Sequence, residues 1–115
     1  MISMNGLITA NGGFAGASDT GAGSGGGIYL RCKRFDGDGT GWLYAKGGGT
    51  AGSINAGNGG GGRIAVWRYQ HTGFNMNNAS VDQGSWGGAY TPTGEVGTIE
   101  WFDTNPSKGT IMSMR

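Results

Sequence analysis

The sequence predicts an all-β fold, a glycine-rich parallel β-solenoid of about three coils with roughly 35-residue repeats and long glycine-rich loops. Three observations lead there. The chain of 115 residues holds 28 glycines yet also four Trp, four Tyr and four Phe; that glycine share is over three times the usual value of about 7%, and the aromatics are too many for a flexible linker. Short segments alternate apolar and polar residues with period two, and none shows helical periodicity. Two strand-like phrases recur. Gly27-Ile28-Tyr29-Leu30 returns as Arg63-Ile64-Ala65-Val66 and Thr98-Ile99-Glu100-Trp101, with starts 36 and 35 residues apart, and Gly6–Gly13 returns as Gly41–Gly48, 35 residues on.

Each element follows from this repeat. Leu7-Ile8-Thr9-Ala10 is the first strand of one phrase, matched by Trp42-Leu43-Tyr44-Ala45 and more weakly by Ala79-Ser80-Val81. Alternation points Ile8, Leu43 and Ala79 inward as one column and Ala10, Ala45 and Val81 as the next. In the second phrase Ile28, Ile64 and Ile99 form a column, with Leu30, Val66 and Trp101 beside it. Outward files carry Tyr29, Ala65 and Glu100, then Arg31, Trp67 and Phe102, the latter a cation–aromatic ladder. Lys33 and Tyr69 follow, and Lys46 and Asp82 align as a rim ion pair. Glycine runs such as Gly59–Gly62 are expected to be corner loops leaving and re-entering the stack. The whole is one domain over residues 1–115, with coils near 6–40, 41–76 and 77–109 and a partial final strand at 110–115.

Charge narrows the partners. Eight Lys and Arg against seven Asp and Glu give a formal charge of +1, so no overall basic field draws in nucleic acid and no polybasic run meets an anionic membrane. No stretch approaches the roughly 20 apolar residues of a spanning helix, and the start, Met1-Ile2-Ser3-Met4-Asn5-Gly6, reads as no secretory signal. The lone Cys32 excludes an intrachain disulfide and is expected to be a small buried hydrophobe, while the lone His71 lies in a polar turn.

The phrases "GAGSGGGIYLRCKRFDGDGTGWLYAKGG" and "GNGGGGRIAVWRY" resemble the glycine-rich repeats of large bacterial surface and secreted proteins. The resemblance spans most of Gly6 to Trp101 and implies a parallel β-helix scaffold of adhesin type, outside the cell or at its surface, with no single activity attached. Virion fibres and spikes are a further setting for such a segment.

Chemistry is sparse. Asp36, Asp38 and Thr40 fit the opening of a calcium loop, with Gly41 at its sixth position, but Gly47 stands where a bidentate Glu is required. A tight Asp-Gly turn accounts for the same residues. Gly21–Gly26 matches a dinucleotide pattern but precedes a strand where a helix is needed. Asn78-Ala79-Ser80 is a formal glycosylation acceptor whose place in a predicted strand argues against modification. Glu100 and Asp103 share a surface without a positioned third group for glycoside cleavage. The surface-binding candidates are Tyr29, Arg31, Tyr44, Trp67, Tyr69 and Phe102, suited to sugar rings or a protein partner or, alternatively, to packing beneath their own loops. The expectation is a non-enzymatic structural or adhesive module without cofactor, calcium being the one candidate, that self-associates or adjoins neighbouring repeats. A carbohydrate-binding or carbohydrate-active fragment is the alternative. An uncapped stack leaves unpaired strand edges, which is what predicts self-association.

Overall fold

The structure is a computed structural model that describes residues 1–16, 20–50, 57–85 and 94–103. Among the described residues seven strands form two parallel sheets. β1 (Ile2–Ser3), β3 (Gly27–Asp36), β5 (Arg63–Thr72) and β7 (Thr98–Phe102) make a four-stranded sheet in the order β1-β3-β5-β7. β2 (Leu7–Thr9), β4 (Trp42–Tyr44) and β6 (Ala79–Ser80) make a three-stranded one in the order β2-β4-β6. A short 3-10 turn, Met76–Asn78, leads into β6.

Register follows the repeat. Ile28 pairs with Ile64 and Ile64 with Ile99, Leu30 with Val66 and Val66 with Trp101, and on the smaller sheet Ile8 with Leu43 and Leu43 with Ala79. These columns face one another and fill the space between the sheets. Ile28, Leu43, Ala45, Ile64, Val66 and Val81 are buried, with Leu30, Ala79, Ile99 and Trp101 packed against them. Alternation breaks near the end of β3: Arg34 is exposed and Phe35 fully buried. Phe35 meets Phe74 edge-on at 5.2 Å and Trp101 at 6.3 Å, closing the core at this end with an aromatic cluster.

The chain does not form the predicted three-coil solenoid. The described residues form two small parallel sheets and no closed solenoid. One reason is length: β3 and β5 run ten residues each, while β2, β4 and β6 run two or three, too unequal to wall a closed coil. The other is the destination of the glycine runs. They are not corner loops but two facing layers bonded directly to each other through the main chain.

Residues 10–15, 45–49 and 80–84, which extend β2, β4 and β6, lie in one layer, where Ala10 donates to Tyr44, Gly12 to Lys46 and Gly47 to Asp82. Residues 22–26, 57–62 and 95–97, which lead into β3, β5 and β7, form the other, where Ala22 donates to Gly57 and Gly25 to Gly60. Between layers Gly23 donates to Gly13, Gly26 to Ala10, Gly59 to Gly48, Gly62 to Ala45, Gly84 to Gly59 and Gly97 to Val81. In the second layer the cross-layer donors, Gly23 and Gly26, then Gly59 and Gly62, fall every third residue. A pleated strand directs its N–H groups within its own sheet; a period of three belongs to a threefold extended chain, which has groups to spare for a facing layer. Where glycine meets glycine, the contact leaves no room for a side chain. A Cβ on Gly12 or on Gly59 would collide with the Gly23 carbonyl oxygen. The sheets therefore stand apart around an apolar core at one end and meet backbone to backbone at the other.

The final strand expected at 110–115 lies outside the described residues, as do residues 17–19, 51–56 and 86–93.

Candidate functional site

Pairing of β3, β5 and β7 fixes the outer face of the larger sheet. Because Arg31 is in register with Trp67 and Trp67 with Phe102, the three side chains stack across the strands. The Arg31 guanidinium carbon lies 5.8 Å from the Trp67 ring centre. Trp67 and Phe102 are stacked, with centres 4.3 Å apart and planes 16° from parallel. Tyr29 and Tyr69 flank the stack and are 61% and 43% exposed. Arg63, at the start of β5, and Lys33 on β3 are exposed as well. Five of the six surface-binding candidates thus share one face. Both faces of Trp67 are occupied by its neighbours, so this ring offers an edge to a ligand and no platform.

Tyr44 belongs elsewhere. It lies on the smaller sheet, tilted against Trp42 at 5.4 Å, with the Lys46 ammonium 4.3 Å from its ring centre. The expected pair between Lys46 and Asp82 is replaced by this cation–π contact, and Asp82 accepts from the Ser80 hydroxyl at 2.9 Å. Exposed Leu7 adjoins Trp42 through the register of β2 and β4.

The calcium candidates have other engagements. Asp38 Oδ1 accepts from the Thr40 backbone N–H at 2.9 Å and from the Thr40 hydroxyl, and these bonds hold its carboxyl below the ordinary range. Asp36 Oδ2 accepts from Arg34 Nε at 2.7 Å. Among the described residues no group of three or more His, Cys, Asp or Glu is placed to hold a metal ion. Cys32 is half-buried beside the core, its thiol directed at the Trp67 carbonyl at 3.7 Å, and burial raises its pKa.

Two ion pairs were not anticipated from the sequence, Arg34 with Asp36 at the surface and Arg68 with Asp103 at the core. Arg68 points into the core and is 2% exposed; its guanidinium lies 4.6 Å from the centre of Trp101 and is bonded to Asp103. Continuing the alternation Ile64, Val66, Arg68 places it inward, and the repeat of 35 leads from Arg68 to Asp103. The Arg68 hydrogen bonds hold the Asp103 carboxyl below its ordinary value, against a smaller opposing effect of burial. His71 Nε2 stands 3.8 Å from Asp103 Oδ2.

No protein-family model, curated protein or solved structure matches the chain. The resemblance to glycine-rich surface-protein repeats rests on the sequence phrases alone. No helix among the described residues is long and apolar enough to cross a membrane.

Proposed function

We propose that the chain is a non-enzymatic adhesive module of a surface or extracellular assembly, holding its partner on the outer face of the larger sheet. The observation that carries this reading is the stack of Arg31, Trp67 and Phe102 between two exposed tyrosines, on a sheet whose leading segments are tied to the facing layer by main-chain hydrogen bonds. Side chains immobilised by one another lose little further entropy when a partner docks, which favours binding by a preformed surface. A glycan array probed with the full chain and with Tyr29→Ala/Tyr69→Ala tests it. Binding that the double variant loses is expected, and an array with no bound glycan overturns the glycan partner.

Self-association is the second part of the proposal. Among the described residues β6 pairs only with β4, and β7 only with β5. A strand paired on one side carries unsatisfied N–H and C=O groups that can template another chain. Sedimentation velocity across a concentration series is expected to show oligomers growing with concentration. A monomer throughout the series would refute self-association, and a fixed trimer would favour a fibre-like assembly.

A further inference from the structure

We propose that the outer face of the four-stranded sheet takes an acidic polysaccharide, a polymer of sugars bearing carboxylate or sulfate groups, laid along β3 and β5. The inference rests on the adhesive reading above and gives the partner its chemistry.

Cation placement is the first argument. Arg31 and Lys33 point outward from β3 and Arg63 from β5, all exposed, and none has an ion-pair partner among the described residues. Elsewhere the chain does pair its arginines: Arg34 bonds Asp36 and Arg68 bonds Asp103. On the face itself the opposing carboxylate is Glu100, in register with Ala65 rather than with any of the three cations. Among the described residues, three cations against one carboxylate concentrate a net +2 on this one face, against +1 for the whole chain.

Ring geometry is the second. A neutral sugar is held chiefly by stacking on an open aromatic face. Arg31 covers one face of Trp67 and Phe102 the other, so the central ring is closed to that mode. Beside the two exposed tyrosines, the face presents the hydrogen-bonding capacity of the guanidinium and ammonium groups, which suits carboxylate and sulfate oxygens.

Length is the third. Arg63 is level with Gly27 across the sheet, so Arg63 and Lys33 are separated by six residue steps, about 20 Å along the strands at roughly 3.3 Å per residue. A small monovalent acid meets one of these cations; a polymer with repeated acid groups meets all three, and each contact raises the effective concentration for the next. Nucleic acid fits less well. A duplex carries a charge about every 1.7 Å and calls for a denser field, and a single strand, which binds by stacking successive bases, finds the central Trp67 ring covered on both faces.

The test is biolayer interferometry on the immobilised full chain with four probes: polygalacturonate, dextran sulfate, unmodified dextran and single-stranded DNA. Polygalacturonate or dextran sulfate is expected to bind, the two distinguishing carboxylate from sulfate. Raising salt to several times the physiological level is expected to weaken binding at least about tenfold, because exposed charges are screened within a Debye length of about 8 Å already at physiological ionic strength. Arg31→Gln/Lys33→Gln/Arg63→Gln is expected to abolish binding with the circular dichroism melt retained. Lys33→Gln alone, with the salt series, keeps the test decisive if the triple variant fails to fold. Dextran bound as well as the acidic polymers, binding indifferent to salt and to Lys33→Gln, or DNA bound at least as tightly would each overturn the inference. Dextran bound without charge dependence overturns it while leaving the adhesive reading intact. No binding to any probe overturns the acidic polymer, and the glycan array then decides the broader reading.

Discussion

Arg68 and Asp103 form a two-point ion pair across neighbouring strands, Nε to Oδ1 at 2.6 Å and Nη2 to Oδ2 at 3.3 Å. The arginine side chain is 1% exposed and the carboxylate 45%, so the pair joins a buried cation to an anion at the surface. Its partners are unequal in what their loss would do. Asp103→Asn removes the counter-charge and one of the two acceptor oxygens from a buried guanidinium, and a buried polar group that loses its partner costs about 1–3 kcal/mol, more when charged. A chemical denaturation series is expected to show a loss of at least about 2 kcal/mol on this account. Arg68→Met removes the buried charge itself, keeps an unbranched side chain against Trp101, and is expected to be milder.

The same pair sets an acid limit on stability. Arg68 lowers the Asp103 pKa in the folded chain below its ordinary value of 3.8. A depressed folded value means that the unfolded chain binds the proton more tightly, so the contribution is complete above 3.8 and is lost as pH falls through the lower folded value. Thermal melts from neutral pH downward are expected to decline across that window, and the decline is expected to shrink in Asp103→Asn.

Glycines in the bonded layers are expected to divide sharply by position. Gly59→Ala places a methyl on the Gly23 carbonyl oxygen, backbone that cannot turn aside, whereas a methyl on Gly13 meets nothing within 4 Å. Neither position has a positive φ. Gly59→Ala is expected to destabilise by several kcal/mol or prevent folding, since backbone must separate. Gly13→Ala is expected to be neutral or to stabilise by about 0.4–1 kcal/mol through the unfolded chain. Equal melting temperatures for the two variants would refute direct contact between the layers.

These layers show where the sequence was readable and where it was not. The repeat placed Ile28 on Ile64 and Ile64 on Ile99, because period-two burial and a fixed offset together leave one register. It also placed Arg31, Trp67 and Phe102 in one file. What it could not convey was the fate of Gly23 or Gly59: with no side chain there is no inward or outward pattern, and a glycine-rich loop and a glycine layer read alike. Phe35 was hidden for a related reason, since the alternation that located Ile28 and Leu30 changes phase before it. Arg68 was legible by parity but chemically unexpected, because a buried arginine is plausible only with Asp103 as its partner.

The aromatic stack is expected to be cooperative. Trp67→Ala and Phe102→Ala each remove one ring from a contact at 4.3 Å, and stacked aromatic pairs add about 0.5–1.5 kcal/mol beyond burial. A double-mutant cycle in denaturant is expected to yield a coupling energy of about 1 kcal/mol. Arg31→Ala is expected to cost less, since an exposed cation–π contact contributes about 0.5–1 kcal/mol. A coupling energy near zero would show that the rings are neighbours without mutual stabilisation.

Asn78 supplies the last prediction. It is buried at 6% exposure, and its Nδ2 donates to the carbonyls of Gly39 at 3.1 Å and Gly41 at 3.0 Å, fastening the turn between β3 and β4 to the next unit of the chain. The turn needs that hold, because Gly39 sits at φ +92°, in the left-handed region. Asn78→Ala removes both donors and is expected to cost about 2 kcal/mol. Asn78→Asp is expected to cost more, as it sets a carboxylate against two carbonyl oxygens in a buried site. The same amide nitrogen is the atom that would carry a glycan at Asn78-Ala79-Ser80, and in the fold both its hydrogens are engaged. Expression in a glycosylating host is therefore expected to give folded protein whose mass is unchanged by glycosidase treatment. A glycosylated chain that still melts like the unmodified one would show that the amide contributes nothing to the turn.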